Sequence, residues 1–174
     1  MRKFLVSVAV AAMLTACSPP TQDTAETPEQ PPTTLACNTV APNAGRQVAV
    51  GEEVVTAAAA ADLRGGSIAP GTYDLATATR VGSPTGWSGT RAVALEVSEA
   101  SSGGVTFNWA GAPPSGEVDS WTAAFTETPQ PHITLSCGRI GDAGVDFATQ
   151  GNTLQLRLPD GANGALLLTF ERRA

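Results

Sequence analysis

Residues 91–112, RAVALEVSEASSGGVTFNWAGA, contain the pattern that decides the fold. Apolar and polar residues alternate here in two short runs, and the apolar members of each run share one face: Val93, Leu95 and Val97, then Val105, Phe107 and Trp109. Such alternation is the period of a β-strand with one buried face. Ser102-Gly103-Gly104, residues that favour a tight turn, separate the runs. The stretch therefore predicts an antiparallel hairpin.

The same alternation continues on both sides of this hairpin, and eight runs can be counted between Gly71 and Phe170. The six further runs are Tyr73, Leu75, Thr77, Thr79 and Val81; Val118 through Phe125; Ile133, Leu135 and Cys137; Val145 and Phe147; Leu154, Leu156 and Leu158; and Leu166, Leu168 and Phe170. The Gly- and Pro-rich connections are too short for crossover helices, so the strands should form a meander. We predict an all-β domain, an eight-stranded antiparallel meander barrel, with an open β-sandwich as the alternative.

A different composition precedes these runs. The stretch Gly51–Ala61 has acids near its start and five alanines at its end, and Gly65-Gly66 follows. This arrangement predicts a short N-terminal helix. Val48 and Val50, just before it, fit an extended segment equally well.

The first residues have the layout of a signal peptide. Arg2 and Lys3 precede a short apolar stretch, residues 4–14, which is too brief for a permanent membrane helix. The next residues, Leu14-Thr15-Ala16-Cys17, resemble the lipobox of bacterial lipoproteins. That resemblance implies that residues 1–16 are removed and that Cys17 is acylated, which anchors the chain to a membrane by lipid. The alternative is an ordinary secretory peptide in which the cysteine has no role.

Residues 18–34 are rich in proline and contain no large apolar residue, which predicts a disordered, extended stalk. The resemblance to lipoproteins also implies, from Ser18 after the anchor, sorting to the periplasmic face of the outer membrane, with the cell surface as the alternative. Residues 35–174 follow, and their length suits a single β domain with one core.

Charge and cysteine content bound the partners. Loss of Arg2 and Lys3 leaves eight arginines against 16 acids, a net charge near −8 that disfavours nucleic acid as a partner.

Cys37 and Cys137 remain as an even pair in an oxidising compartment, which predicts a disulfide between them. The alternative, a reactive or metal-binding thiol, lacks a neighbouring His or a CxxC spacing.

The sequence predicts no catalytic residues, no metal ligands and no cofactor, and therefore no enzyme. A hydrolase of the usual type needs a base, and the single histidine, His132, is expected to point outward. Glu117, Asp119 and Trp121 share a strand face that a sugar site could use, although a solvated face is the favoured interpretation.

Tryptophans are the best candidates for ligand contacts. Trp87 lies in a loop rich in Gly, Ser and Pro, where it either binds a ligand or caps the barrel end. Trp121 is the second candidate. The inward faces consist mostly of Leu, Val, Phe and Trp, so we expect a largely packed interior and binding at the loops. A cavity of several hundred Å³ would reverse this preference.

Two further motifs carry a resemblance. Residues 65–75, GGSIAPGTYDL, resemble a GGxIxxGTYxL pattern of uncharacterised secreted or lipid-anchored bacterial β-domain proteins, and the closing segment from Gly151 to Arg172 is similar to the last hairpin of lipocalin-like barrels. Neither motif names a ligand. We predict a non-catalytic binding module of the envelope whose loops bind a protein or a small ligand. It is either a carrier of a small apolar ligand or a protein whose loops bind another protein, such as an envelope lysozyme or protease that it inhibits.

Overall fold

The computed structural model describes residues 36–53, 63–83, 86–101 and 103–174. These residues form ten strands: β1 (Val48–Glu53), β2 (Gly71–Ser83), β3 (Thr90–Glu99), β4 (Val105–Ala112), β5 (Asp119–Thr126), β6 (His132–Cys137), β7 (Gly141–Gly144), β8 (Asp146–Gln150), β9 (Thr153–Pro159) and β10 (Asn163–Arg172). The predicted signal peptide, the lipidated Cys17 and the stalk lie outside the described residues. No helix in the described ranges has the length and apolarity of a membrane span.

All ten strands belong to one sheet, in the order β7-β6-β5-β4-β3-β1-β2-β10-β9-β8. The sheet nearly closes on itself because the stretch Gly141–Gln150 changes partner at Val145. Its first half, β7, pairs with β6, and its second half, β8, pairs with β9. β7 also lies against β9, which brings the two ends of the sheet together. The prediction of an all-β barrel is confirmed, and two separate sheets of a sandwich are not present among these strands.

The predicted count of eight strands is wrong. Each of the eight alternating runs does form β-structure, but the sixth divides at Val145 into β7 and β8. The tenth strand is β1, which enters between β2 and β3. It pairs in parallel with β2, from Val50 opposite Ala78 onward, and antiparallel with β3 at Val48 opposite Arg91. β2 and β3 pair with each other only at their other ends, Gly71–Asp74 with Ala94–Val97.

The prediction of a helix that begins at Gly51 is wrong, because the first residues of that segment lie in β1. Gly51, Glu52 and Glu53 belong to β1 rather than to a first helical turn. The extended alternative, based on Val48 and Val50, was the right one for this segment, because a partner edge was available on both sides. The rest of the predicted helix, residues 54–61, lies outside the described residues.

The core fills the inside of the barrel with the apolar faces that the alternation predicted. Its fully buried large side chains include Phe107, Phe147, Phe170, Leu75, Leu95, Leu154, Leu156 and Leu168. One predicted face is interrupted. Thr77 pairs with Thr169 and Leu75 with Phe170, so Ala76 is an extra residue in β2. This bulge turns Thr77 outward and Ala78 inward, and the face predicted from Tyr73 to Val81 changes side there.

The predicted disulfide is confirmed: Cys37 and Cys137 are bonded, with their Cα atoms 5.5 Å apart. The bond holds the segment before β1 against the end of β6. Close by, the side-chain amide of Asn38 donates hydrogen bonds to the carbonyl oxygens of Trp109 and Trp121, at 3.2 and 3.0 Å. The first described residues therefore brace β4 and β5.

A second link joins the C-terminus to β2. The Arg173 guanidinium donates to both carboxylate oxygens of the buried Asp74, at 2.9 and 2.7 Å. Burial raises the pKa of the Asp74 carboxyl, but the hydrogen bonds and charge of Arg173, together with a hydrogen bond from Asn43 and the charge of Arg46, lower it by more. The pKa of Asp74 therefore lies below its usual value, and the pair is ionised when folded.

Candidate functional site

One end of the barrel contains a cavity of about 500 Å³. We call this end the mouth. It comprises the described residues of four connections, residues 86–89, 113–118, 138–140 and 160–162, together with the strand ends next to them. Its apolar lining residues are Trp87, Trp109, Trp121, Ile133, Leu135, Ala143, Leu158, Pro159 and Leu166. The expectation of a largely packed interior is wrong at this end.

The position of β1 explains why the mouth is wide. β1 pairs with the later half of β2 and with the first residues of β3, both of which lie at the mouth. At the opposite end β2 and β3 pair directly. A strand occupies about 4.8 Å of the sheet width. β1 therefore widens the circumference of the barrel at the mouth by about 4.8 Å, compared with a barrel built from the eight predicted runs alone.

Three tryptophans meet at the cavity. Trp109 and Trp121 lie opposite each other on β4 and β5, and their rings stack with centroids 5.2 Å apart and planes 10° apart. Trp87, from the connection after β2, meets Trp109 edge to face at 6.1 Å. Aromatic pairs of this geometry contribute about 0.5–1.5 kcal/mol each beyond the area they bury. The three rings therefore form one packed group in the cavity wall.

Small residues allow this close arrangement. A Cβ on Gly111 would lie 3.1 Å from the indole nitrogen of Trp109, so the absence of a side chain lets that ring lie along β4. A Cβ on Gly86 would lie 2.5 Å from Oδ1 of Asp160. Gly86 thus allows the Trp87 connection to approach the β9–β10 connection closely.

Four charged side chains also line the cavity: Arg91, Asp119, Arg139 and Asp160. Arg139 and Asp119 pair with each other at 3.0 Å and are partly exposed. Arg91 instead lies over the Trp87 ring, with its Cζ atom 5.5 Å from the ring centroid. In the described part of the chain, the ion pairs include neither Arg91 nor Asp160.

Two polar atoms of the lining lack hydrogen-bond partners among the described residues. They are the indole nitrogen Nε1 of Trp87 and the carboxylate oxygen Oδ2 of Asp160, and both are buried. An unsatisfied buried group of this kind costs about 1–3 kcal/mol. Unpaired groups concentrated around one cavity are typical of a binding site rather than of a finished core.

The structure brings both predicted ligand-contact residues, Trp87 and Trp121, to the same cavity. Trp87 is only 9% exposed, which agrees with the interpretation that it caps the barrel end, and its contact with a ligand stays a prediction. Asp119 lies at the cavity with Trp121, whereas Glu117 is exposed in the preceding connection.

Sequence reasoning missed Trp109, Arg91, Arg139 and Asp160 as lining residues. One signal was available for Trp109. It precedes the β4–β5 turn by about as many residues as Trp121 follows it, and this spacing places the two side by side in an antiparallel pair.

The one predicted outward histidine lies apart from the cavity. His132 is the first residue of β6 and is not among the lining residues, and its Nδ1 lies 3.0 Å from the carbonyl oxygen of Gln130. Within the described ranges no three His, Cys, Asp or Glu side chains lie together in a way that could hold a metal ion.

Comparison with protein-family models, curated proteins and solved structures finds no match to this chain.

Proposed function

We propose that this chain is a non-catalytic binding protein of the bacterial envelope, which binds a small apolar molecule in the mouth of its barrel. The observation that carries the proposal is the cavity of about 500 Å³ with its three tryptophans. Pockets for small molecules typically have volumes of about 300–1,000 Å³ and combine apolar walls with a few polar groups. The lipocalin-like resemblance of the sequence agrees with this function.

The tryptophans favour an apolar ligand over a sugar. Sugar sites use an aromatic ring with an accessible face, but Trp109 and Trp121 stack on each other and are only 7% and 4% exposed. As a stacked pair, the two rings contribute apolar surface to the cavity wall. A ligand that removes apolar surface from water gains about 25 cal/mol per Å² from such a wall.

We further propose that the protein is anchored by lipid on Cys17 at the periplasmic face of the outer membrane, or alternatively at the cell surface. The support is the signal-peptide layout and the lipobox pattern that ends at Cys17. Metabolic labelling of producing cells with palmitate tests the anchor. The native chain should incorporate label, and a Cys17→Ser variant should not.

Fluorescence titration with N-phenylnaphthylamine, a neutral aromatic probe that brightens in apolar surroundings, tests the binding function. We expect saturable binding at one site of the purified chain. An Ala143→Phe variant, which fills the cavity from β7, should lose this binding. The matched control is Ala124→Phe on the exposed face of β5, which should keep it. Equal binding by both variants would contradict a site in the mouth.

Inhibition of an envelope lysozyme or protease is the second candidate function, and one observation favours it. Val118 and Ile140, beside the Asp119–Arg139 pair, are 54% and 83% exposed. Exposed apolar residues at a rim are typical of protein contacts. The native chain should then slow peptidoglycan hydrolysis by a lysozyme, and a Val118→Ser, Ile140→Ser double variant should not. Failure of the native chain to slow lysozymes and proteases alike would reject this candidate.

A further inference from the structure

We infer that the ligand of the mouth cavity carries an anionic group, which Arg91 binds, on the apolar body that the tryptophans contact. This inference rests on the proposed ligand-binding function and adds the chemical class of the ligand. It starts from the four charges of the lining, since their arrangement differs between the two arginines.

Arg139 is already neutralised. Its guanidinium lies 3.0 Å from Asp119, so an incoming anion would have to compete with that carboxylate. Arg91 has no carboxylate partner among the described residues, and its position over Trp87 holds the guanidinium at the cavity wall. An arginine held over an aromatic ring by a cation–π contact still has N–H donors for an anion. Arg91 is therefore the cation of the lining that is ready to accept an anion.

Trp87 supplies a second reason. Its indole N–H is buried without an acceptor in the described part of the chain, on the same side chain that Arg91 covers. The ring that Arg91 covers thus carries a buried donor without an acceptor among the described residues. A carboxylate, sulfonate or phosphate oxygen is the group that such donors favour.

Asp160 limits where the anion can lie. Its carboxylate also lines the cavity and has an unpartnered buried oxygen, so it repels a negative group that approaches it. It is not within ion-pair distance of Arg91. The ligand should place its negative group at Arg91. The part of the ligand near Asp160 should be neutral or carry a hydrogen-bond donor. The two residues should therefore have opposite effects on the affinity for an anion.

Two fluorescent probes with the same ring system separate these effects. Anilinonaphthalene sulfonate carries a negative group, and N-phenylnaphthylamine lacks it. We expect Arg91→Met, which retains an apolar stem over Trp87, to weaken sulfonate binding about tenfold, the usual scale for a partly exposed charged hydrogen bond. Binding of the neutral probe should change by less than about twofold. Arg91→Lys should restore most of the sulfonate affinity, and Asp160→Asn should increase it.

The control is Arg157→Gln, which removes a positive charge outside the cavity, where Arg157 pairs with Asp146. It should leave the affinities for both probes unchanged. If Arg91→Met weakens both probes equally, or if Asp160→Asn weakens the sulfonate, the inference is overturned while the binding function stands. If neither probe binds the native chain, the binding function is refuted, and the inference is refuted with it.

Discussion

Replacing Cys37 and Cys137 together by alanine should destabilise the barrel strongly. The disulfide joins residues 100 positions apart in the sequence. In the chain-entropy description, a closed loop of this length restricts the unfolded state enough to stabilise the fold by about 4.7 kcal/mol. Domains of this size are stable by only about 5–15 kcal/mol in total. The double variant should therefore lose a large part of its free energy of unfolding.

The loss should be visible first at the mouth. The segment that begins at Cys37 includes Asn38, whose amide holds the backbone of Trp109 and Trp121. Without the disulfide, no covalent bond outside the main chain ties this segment to the barrel. Urea unfolding followed by tryptophan fluorescence measures the effect directly, because all three tryptophans of the chain line the cavity.

An Asn38→Ala variant separates the two contributions. It keeps the disulfide and leaves two carbonyl oxygens without their donor, at a cost of about 1–3 kcal/mol. We expect the double cysteine variant to be clearly less stable than Asn38→Ala. If removing the disulfide costs no more than removing the Asn38 amide, the account of the disulfide as the main constraint on the unfolded chain is refuted.

Two further predictions concern other parts of the barrel. The pKa of Asp74 is lower in the folded than in the unfolded state, so its contribution to stability is complete above its ordinary pKa of 3.8 and is lost as the pH falls through the lower folded value. Asp74→Asn should flatten the acid side of the stability profile in urea titrations between about pH 2 and 6, and an unchanged slope would contradict this. Gly138→Ala should destabilise more than Gly89→Ala. Both glycines have positive φ, worth about 1–2 kcal/mol for alanine, but a Cβ at Gly138 would also lie 2.1 Å from the Ser120 carbonyl oxygen, whereas Gly89 faces open space. Equal thermal midpoints for the two variants would refute the clash.

The strands could be predicted from the sequence because alternation over several residues has one simple explanation, a half-buried strand. In β4 the apolar side chains Phe107 and Trp109 are buried as the pattern predicted, whereas Trp121 in β5 is also buried although its face was interpreted as solvated. The turns could also be predicted, from the positions of glycine and proline. What the pattern could not reveal was the pairing partner, which depends on distant parts of the chain.

β1 and Val145 show this limit. The segment Val48–Glu53 carries both helical and extended signals, and only the gap between β2 and β3 decides between them. Val145 reads as an ordinary inward residue of one strand, but there the chain leaves β6 and joins β9. Both features depend on pairing between strands that are distant in the sequence. They account for the difference between eight and ten strands.

The candidate site was predictable in part. Trp87 and Trp121 could be selected because tryptophan combines a large apolar ring with one donor. The cavity could not, since the width of a barrel depends on how many strands surround each level. Arg91 and Asp160 were also inaccessible to sequence reasoning, because a charge at a strand end points to a cavity only when the ends of distant strands converge.

The short strands at the two margins of the sheet affect how readily copies of the domain associate. Strands at the margin of a sheet can recruit another chain through their free backbone groups. Here the two terminal strands of the order, β7 and β8, are only four and five residues long, and they are continuous with each other in the chain. Copies of this domain at high concentration would thus find little free backbone at the sheet margins on which to add a strand.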